Sequence, residues 1–361
     1  MKAISHVQPD VTPVNVYGFE DIQPWLDHFG ARDGAHLSQL LGLDAFPDAP
    51  PVYRGPLIPP GRDIWGASYS WTGARGAGYS AERGGYPLAG SKTVSQIEQY
   101  AWPQAEDFDY SVVAPVLKAV PRNQPLWIRP LYIFPADDPD QTLSMRSRRG
   151  EWMPVLCTLF NLFGMEETLV SLSLEPKRME AALARIEEFI LGFSRRMIEA
   201  AQEKAEIFWF GDDFASQKGM LISPEAWRRF LKPVYGRIFA LAKSGGMKVW
   251  FHSCGTFRPV MADLVEIGLD VWETSQVHLA GNEPDVMKRE FGKDITFYGG
   301  INSQTTLPHG TTEQVRAEVR DRVRVLGKGG GYICSSDHSI LPDVPFDNVI
   351  AMIDEARRTR P

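Results

Sequence analysis

From about residue 120 onward the chain alternates short apolar runs with longer amphipathic stretches, and this alternation restricts the fold more than any other feature of its 361 residues. "PLWIRPLYIF" (125–134), "AEIFWFGDD" (205–213), "MKVWFHSCG" (247–255), "DVWETSQ", "ITFYGGIN" and "GGYICSS" have the length and composition of buried strands. Between them lie stretches with apolar residues at helical spacing, such as 177–204 and "TTEQVRAEVRDRVRVLG". In "SPEAWRRFLKPVYGRIFALAKSG", Ser223 stands as an N-cap and Pro224 at the first helical position, and the spacing predicts one helix running to a glycine stop. Strands that alternate with helices build a parallel sheet. No G-x-G-x-x-G follows the early strands, and "GKGGGY" (327–332) lies between a helix and a strand, where it serves as a turn. An α/β fold of the (β/α)8 TIM-barrel type is therefore expected over 121–361. Residues 1–120, rich in Pro, Gly and aromatics, form an irregular N-terminal cap packed on it, within one structural domain.

In parallel α/β folds the C-terminal strand ends open onto one face, where barrel enzymes keep their active sites. The residues at those ends are Asp212 and Asp213; His252 and Cys254; Glu273, Thr274 and Gln276; Gly299, Gly300 and Asn302; and Cys334, Asp337 and His338. Residues i and i+2 of a strand project the same way, so His252 and Cys254 point together, with Cys334 leaving a later strand on the same rim. One His and two Cys suit zinc with an open fourth position. Cysteine and histidine are also ordinary core residues, and on pattern alone the two readings stand level. Cys157, in "MPVLCTLFNLF", is expected in the core.

One of Asp212 and Asp213 should face the strand-end pocket while the other caps the next segment, and the pattern does not choose between them. Glu273 is a fourth ligand, an acid/base or a rim ion-pair partner, and His338 is a proton-transfer or substrate contact or a solvated loop residue. His278 and His309 lie near turns and receive no role. Gly299-Gly300 marks a tight turn or a close backbone approach.

A net charge of −7 argues against nucleic-acid binding, which needs a basic surface. The opening "MKAISHVQPDV" has no apolar signal core and no run approaches the ~18 apolar residues of a membrane span, so a soluble, cytoplasmic protein without a membrane role is expected. Three cysteines make no disulfide framework.

Four blocks in order, "FGDDFASQKGMLISPEAWRRFLKPVYGRI", "FHSCGTFRPVMADLVEIGLD", "ITFYGGINSQTTLPHGTTEQVRAEV" and "GGGYICSSDHSILPDVPFDNVIAM", resemble the uroporphyrinogen decarboxylase superfamily over about residues 200–355. "TPVNVYGFED", "PVYRGP" and "RDIWG" are more loosely similar. The arginine-rich "RQAGR" segment with which true decarboxylases of this superfamily grip substrate carboxylates is missing. His252, Cys254 and Cys334 match instead the H-x-C…C zinc motif of its cobalamin-dependent methyltransferases.

The resemblance implies a (β/α)8 barrel and a zinc-dependent methyltransferase. Such an enzyme moves a methyl group between a small substrate, a thiol or a methyl ether such as a methoxylated aromatic (O-demethylation), and a corrinoid. His252, Cys254 and Cys334 would be the Zn²⁺ ligands, Glu273 a fourth ligand or acid/base, and Asp213 and His338 substrate contacts. No D-x-H-x-x-G cobalamin signature is present, so the corrinoid (cobalamin) is expected on a separate carrier protein. Trp65, Tyr69, Trp71, Tyr79 and Tyr86 in the cap suit an aromatic substrate or a corrinoid face, or ordinary core packing. The rival readings are a metal-independent decarboxylase and a non-catalytic tetrapyrrole-binding barrel.

Overall fold

The computed structural model describes residues 1–44, 49–59, 62–70, 80–81, 85–120, 126–129, 131–132, 151–152, 154–201 and 205–361. The chain forms two compact units, one of Pro47–Phe214 and Leu221–Val249, the other of Met1–Phe46, Ala215–Met220 and Trp250–Pro361. The parallel strands are numbered here in chain order.

In the first of these units, β1 (Trp127–Ile128) pairs in parallel with β2 (Ile207–Gly211), Trp127 opposite Ile207 and Ile128 opposite Phe208. All five residues of β2 are buried, as an unbroken apolar run requires when both faces are covered. β3 (Lys248–His252) begins in the same unit, where the Lys248 N–H donates to the Glu206 carbonyl at 2.9 Å. The stretch 125–134 contributes two short strands instead of one. Trp127–Ile128 is followed by Leu131–Tyr132, which pairs antiparallel with Glu151–Trp152, with Pro130 between them in the sequence.

The amphipathic stretch becomes a 26-residue helix, Pro176–Ala201, that buries Met179, Leu183, Ile186, Phe189, Ile190, Phe193 and Met197 along one stripe. Trp65 belongs to this core, fully covered, with its ring 5.0 Å from that of Phe189. The helix opening at Ser223 starts as expected, the Ser223 hydroxyl accepting the Ala226 N–H at 3.1 Å. It breaks after Phe230 and resumes as Lys232–Ser244, because Pro233 has no N–H to continue the hydrogen-bond ladder.

Asp212, directly after β2, is wholly buried. Its carboxylate accepts the N–H groups of Val155 (3.1 Å), Leu156 (2.6 Å) and Cys157 (3.1 Å) at the start of helix Leu156–Phe163, and the Tyr235 hydroxyl (2.6 Å). These donors are the ones an α-helix leaves unpaired at its N-terminus, and the carboxylate's negative charge sits favourably at the positive end of the helix dipole. Burial raises the Asp212 pKa, while the bonds from Tyr235, Leu156 and Cys157 pull it down. Of the vicinal pair, Asp212 is thus the structural cap.

In the other unit β3 ends and β4 (Val271–Ser275), β5 (Thr296–Ile301) and β6 (Tyr332–Ser336) follow, each paired in parallel with the next. Helices Met261–Glu266, Pro284–Phe291 and Thr312–Leu326 connect them, the crossovers that parallel strands need. Residues 12–20 run beside β6 and the loop after it. The Cys334 N–H donates to the Pro13 carbonyl (2.9 Å), the Asn15 N–H to the Cys334 carbonyl (2.9 Å) and the Ile340 N–H to the Gly18 carbonyl (2.7 Å). This pairing covers backbone that an exposed edge would leave open. No described helix is long and apolar enough to cross a membrane.

Replacing Asp212 by Ala would leave three buried N–H groups and a tyrosine hydroxyl without their acceptor. It is expected to cost at least about 3 kcal/mol in urea unfolding, and Asp212→Asn, which keeps one acceptor oxygen, less.

Candidate active site at the strand ends

β3 carries Val249, Trp250 and Phe251 fully buried and ends at His252. Parallel pairing sets His252 opposite Glu273 and Glu273 opposite Tyr298, so the three side chains share one face. On the same face the rings of Trp250 and Tyr298 lie 4.9 Å apart and floor the site. Burial, and next the nearby Glu273 charge, push the Tyr298 hydroxyl well above its ordinary range.

His252 is 3% exposed and Glu273 4%. Nδ1 of His252 lies 3.2 Å from Oε2 of Glu273 and 3.3 Å from the hydroxyl of Tyr17. Nε2 faces the other way, 3.7 Å from Sγ of Cys254. A zinc ion at Zn–N of about 2.05 Å and Zn–S of about 2.3 Å, with a tetrahedral angle between them, separates its two ligand atoms by about 3.6 Å. The observed spacing fits that demand. A carboxylate on the far nitrogen is the partner that a metal-binding histidine ordinarily has, since it fixes which nitrogen carries the proton. Glu273 therefore orients His252 through Nδ1.

Three backbone features hold this geometry. Thr274 has φ +57°, a left-handed conformation that a β-branched residue adopts only under constraint, and the β4–β5 register shifts there. Its hydroxyl lies 2.8 Å from the Glu273 carbonyl, 3.1 Å from that of Ser253 and 3.7 Å from Cys254 Sγ. Gly255 has φ +89°, and a Cβ on it would lie 2.5 Å from the Ser216 carbonyl oxygen. Its N–H donates to Oε1 of Gln276 at 2.7 Å, so the strand-end glutamine pins the H-x-C-G turn. Gly299, at φ +122°, would bring a Cβ within 3.0 Å of the Ser275 nitrogen, so this glycine permits close approach of β4 and β5.

Cys334 does not join His252 and Cys254. Its strand pairs Ile333 with Tyr298 and Cys334 with Gly299. The Cys334 side chain therefore alternates to the face opposite that of His252. It is wholly buried beside the Tyr332 hydroxyl and near Glu318, and burial, only partly offset by Tyr332, raises its pKa to about 12. Among the described residues Cys334 forms no group with His252 and Cys254 in which all three donor atoms lie within 4.8 Å of one another. The sequence placed all three on one rim without being able to count the strand's parity. His338 stands exposed on the loop after β6, its ring stacked on Tyr17 at 5.2 Å. Asp213 belongs to the other unit, half-buried after β2, where the Cys157 thiol lies 3.6 Å from its carbonyl oxygen. Burial, then the charges of Asp212 and Asp213, push the Cys157 thiol well up.

Sequence reasoning passed over Tyr17. Its hydroxyl touches His252, and its ring lies 5.5 Å from that of His252, so one aromatic bridges His252 and His338. The signal available was the loosely similar "TPVNVYGFED". Of the cap aromatics, Trp71 and Tyr79 lie outside the described residues, Tyr86 is half-buried, and Trp65 is core; the side chain of Tyr69 also lies outside what is described.

The uroporphyrinogen decarboxylase (URO-D) family matches residues 158–359, more than half of the chain, and the chain belongs to this family. It is 22% identical over 222 residues to a methylated-thiol–coenzyme M methyltransferase of Methanosarcina mazei, covering 60% of this chain and 56% of that protein. To a uroporphyrinogen decarboxylase of Thermus thermophilus it is 25% identical over 175 residues, 48% of this chain and 46% of the relative. The chain thus spans about half the length of the curated relatives it matches. A solved methyltransferase from M. mazei superposes with a TM-score of 0.68 at 19% identity over 99% of this chain and 96% of the other, and so shares the fold. The four-block resemblance to the superfamily agrees with these findings, and a methyltransferase stands among the matches by sequence and by structure.

Brief treatment of the folded, chelator-treated protein with iodoacetamide at neutral pH is expected to alkylate half-buried Cys254 and to spare Cys334, whose thiol is both enclosed and protonated. Peptide mass spectrometry reads the outcome, and equal labelling of both would contradict the burial.

Proposed function

We propose that the chain is a methyltransferase in which His252 and Cys254 hold a catalytic Zn²⁺ and the methyl group moves between a small thiol and a corrinoid on a separate carrier protein. The observation that carries this reading is the paired geometry of His252, Nε2 toward the Cys254 sulfur and Nδ1 on the Glu273 carboxylate. Zinc bound there supplies a Lewis acid that lowers the pKa of a thiol, or polarises an oxygen, at neutral pH. Glu273 and Tyr17 hold the imidazole in place, and the buried wall of Trp250 and Tyr298 keeps water from the same face. A thiol is favoured over a methoxylated aromatic for two reasons. A relative is named for methylated thiols, and among the cap aromatics Trp65 serves the core.

Asp213 and His338 are proposed as substrate contacts. Cys334, the third sulfur that the motif resemblance implies, would reach the metal only if the end of β6 turned its side chain over; as it stands the thiol faces Tyr332. The metal-independent decarboxylase remains the rival that the same measurements separate.

Protein purified without chelator is expected to carry about one zinc per chain by elemental analysis. His252→Ala and Cys254→Ser should lose it and Cys334→Ser keep it, while Glu273→Gln should bind it about 10–100-fold more weakly. Methylcobalamin demethylation by an added thiol, followed by the cobalamin spectrum, should track the zinc content. A folded wild-type chain that binds no zinc, even when the metal is added, overturns the reading.

A further inference from the structure

Past β4 the chain continues Gln276-Val277-His278, and past β6 it reaches Asp337. These two residues meet, with Nδ1 of His278 at 2.9 Å from Oδ2 of Asp337. Asp337 is wholly buried and the His278 side chain 15% exposed. The other carboxylate oxygen is fixed from β5's end, Oδ1 accepting the backbone N–H of Ser303 at 3.0 Å and its hydroxyl at 2.6 Å. The Asp337 N–H in turn donates to the Ile301 carbonyl at 2.9 Å, so the carboxylate cannot drift.

The ring is not aligned for a full hydrogen bond to Asp337, and among the described residues neither Nδ1 nor Oδ2 has any other partner. Nε2 of His278 is buried too and has no partner among them. A buried polar atom left unsatisfied costs about 1–3 kcal/mol, so one on a ring already steered by a fixed carboxylate marks a place where a hydrogen-bonding group fits. His278 belongs to no described cluster of three or more metal-capable side chains, which argues for a hydrogen-bonding group there and against a cation.

We propose that Nε2 of His278 accepts a hydrogen bond from the hydroxyl or thiol of a small molecule bound at this end of the parallel strands. A carboxylate beside Nδ1 draws the ring proton to that nitrogen and leaves the lone pair on Nε2. Asp337 is thus a positioning residue, Ser303 holds it, and His278 is the contact. The inference rests on the reading above and deepens it by giving the still-protonated substrate an anchor at the strand ends before its thiolate forms. It does not depend on the metal.

The test uses the full chain with isotope-labelled histidine and long-range proton–nitrogen correlation, the His278 signals being assigned by their loss in His278→Gln. The expected wild-type ring carries its proton on Nδ1. Titration with mercaptoethanol should shift the Nε2 resonance saturably, ethylene glycol should separate a hydroxyl response from a thiol one, and dimethyl sulfide, which has no donor, should leave it unmoved. Asp337→Asn keeps an acceptor for Ser303 but should lose the tautomer preference and weaken the response about tenfold. A ring protonated on Nε2, or a resonance that no donor moves, overturns the proposal. A responding His278 in a protein that binds no zinc would sink the metal reading and leave this contact standing.

Discussion

The pairing of β3 with β4 in register, His252 against Glu273, is the constraint on which the site depends. Parallel strands put paired residues on the same face, so this register turns two residues 21 positions apart into a buried imidazole–carboxylate pair. A slip by one residue would send Glu273 to the helix side and leave His252 without the group that orients it. The fully buried Val249, Trp250, Phe251, Val271 and Trp272 make such a slip costly, since each would exchange its packed environment for the wrong face.

Backbone strain gathers where the chain must depart from regular pairing. Thr274 in the left-handed region costs on the order of 1–3 kcal/mol and persists only because its surroundings over-determine it. It sits at the register shift between β4 and β5, one residue after Glu273 and within contact of Cys254. Gly255 and Gly299 do the same work without a side-chain penalty, letting the H-x-C turn close onto Ser216 and β5 approach β4. The polar residues nearby mostly serve this geometry, with Gln276 holding Gly255 and Asn302 accepting the N–H groups of Gln304 and Thr305.

Buried carboxylates divide the strand-end chemistry between them by what they touch. Asp212 spends both oxygens on a helix N-terminus and on Tyr235. Glu273 turns to His252, and Asp337 to His278 and Ser303. The acidic residue type is the same in each case, yet one caps a helix and two address imidazoles.

The sequence by itself determined the alternation of strands and helices, the gathering of polar residues at strand ends and the H-x-C pair, because period and composition are local properties of the chain. Three decisions lay beyond it. Which of Asp212 and Asp213 caps a helix depends on where helix Leu156–Phe163 starts in space, some 55 residues earlier in the chain. The side to which Cys334 points depends on the parity of β6 against β5, which pairing sets and spacing cannot. The contact of Tyr17 with His252 and the meeting of His278 with Asp337 join residues 235 and 59 positions apart, through chain segments that pair only when the tertiary structure has formed.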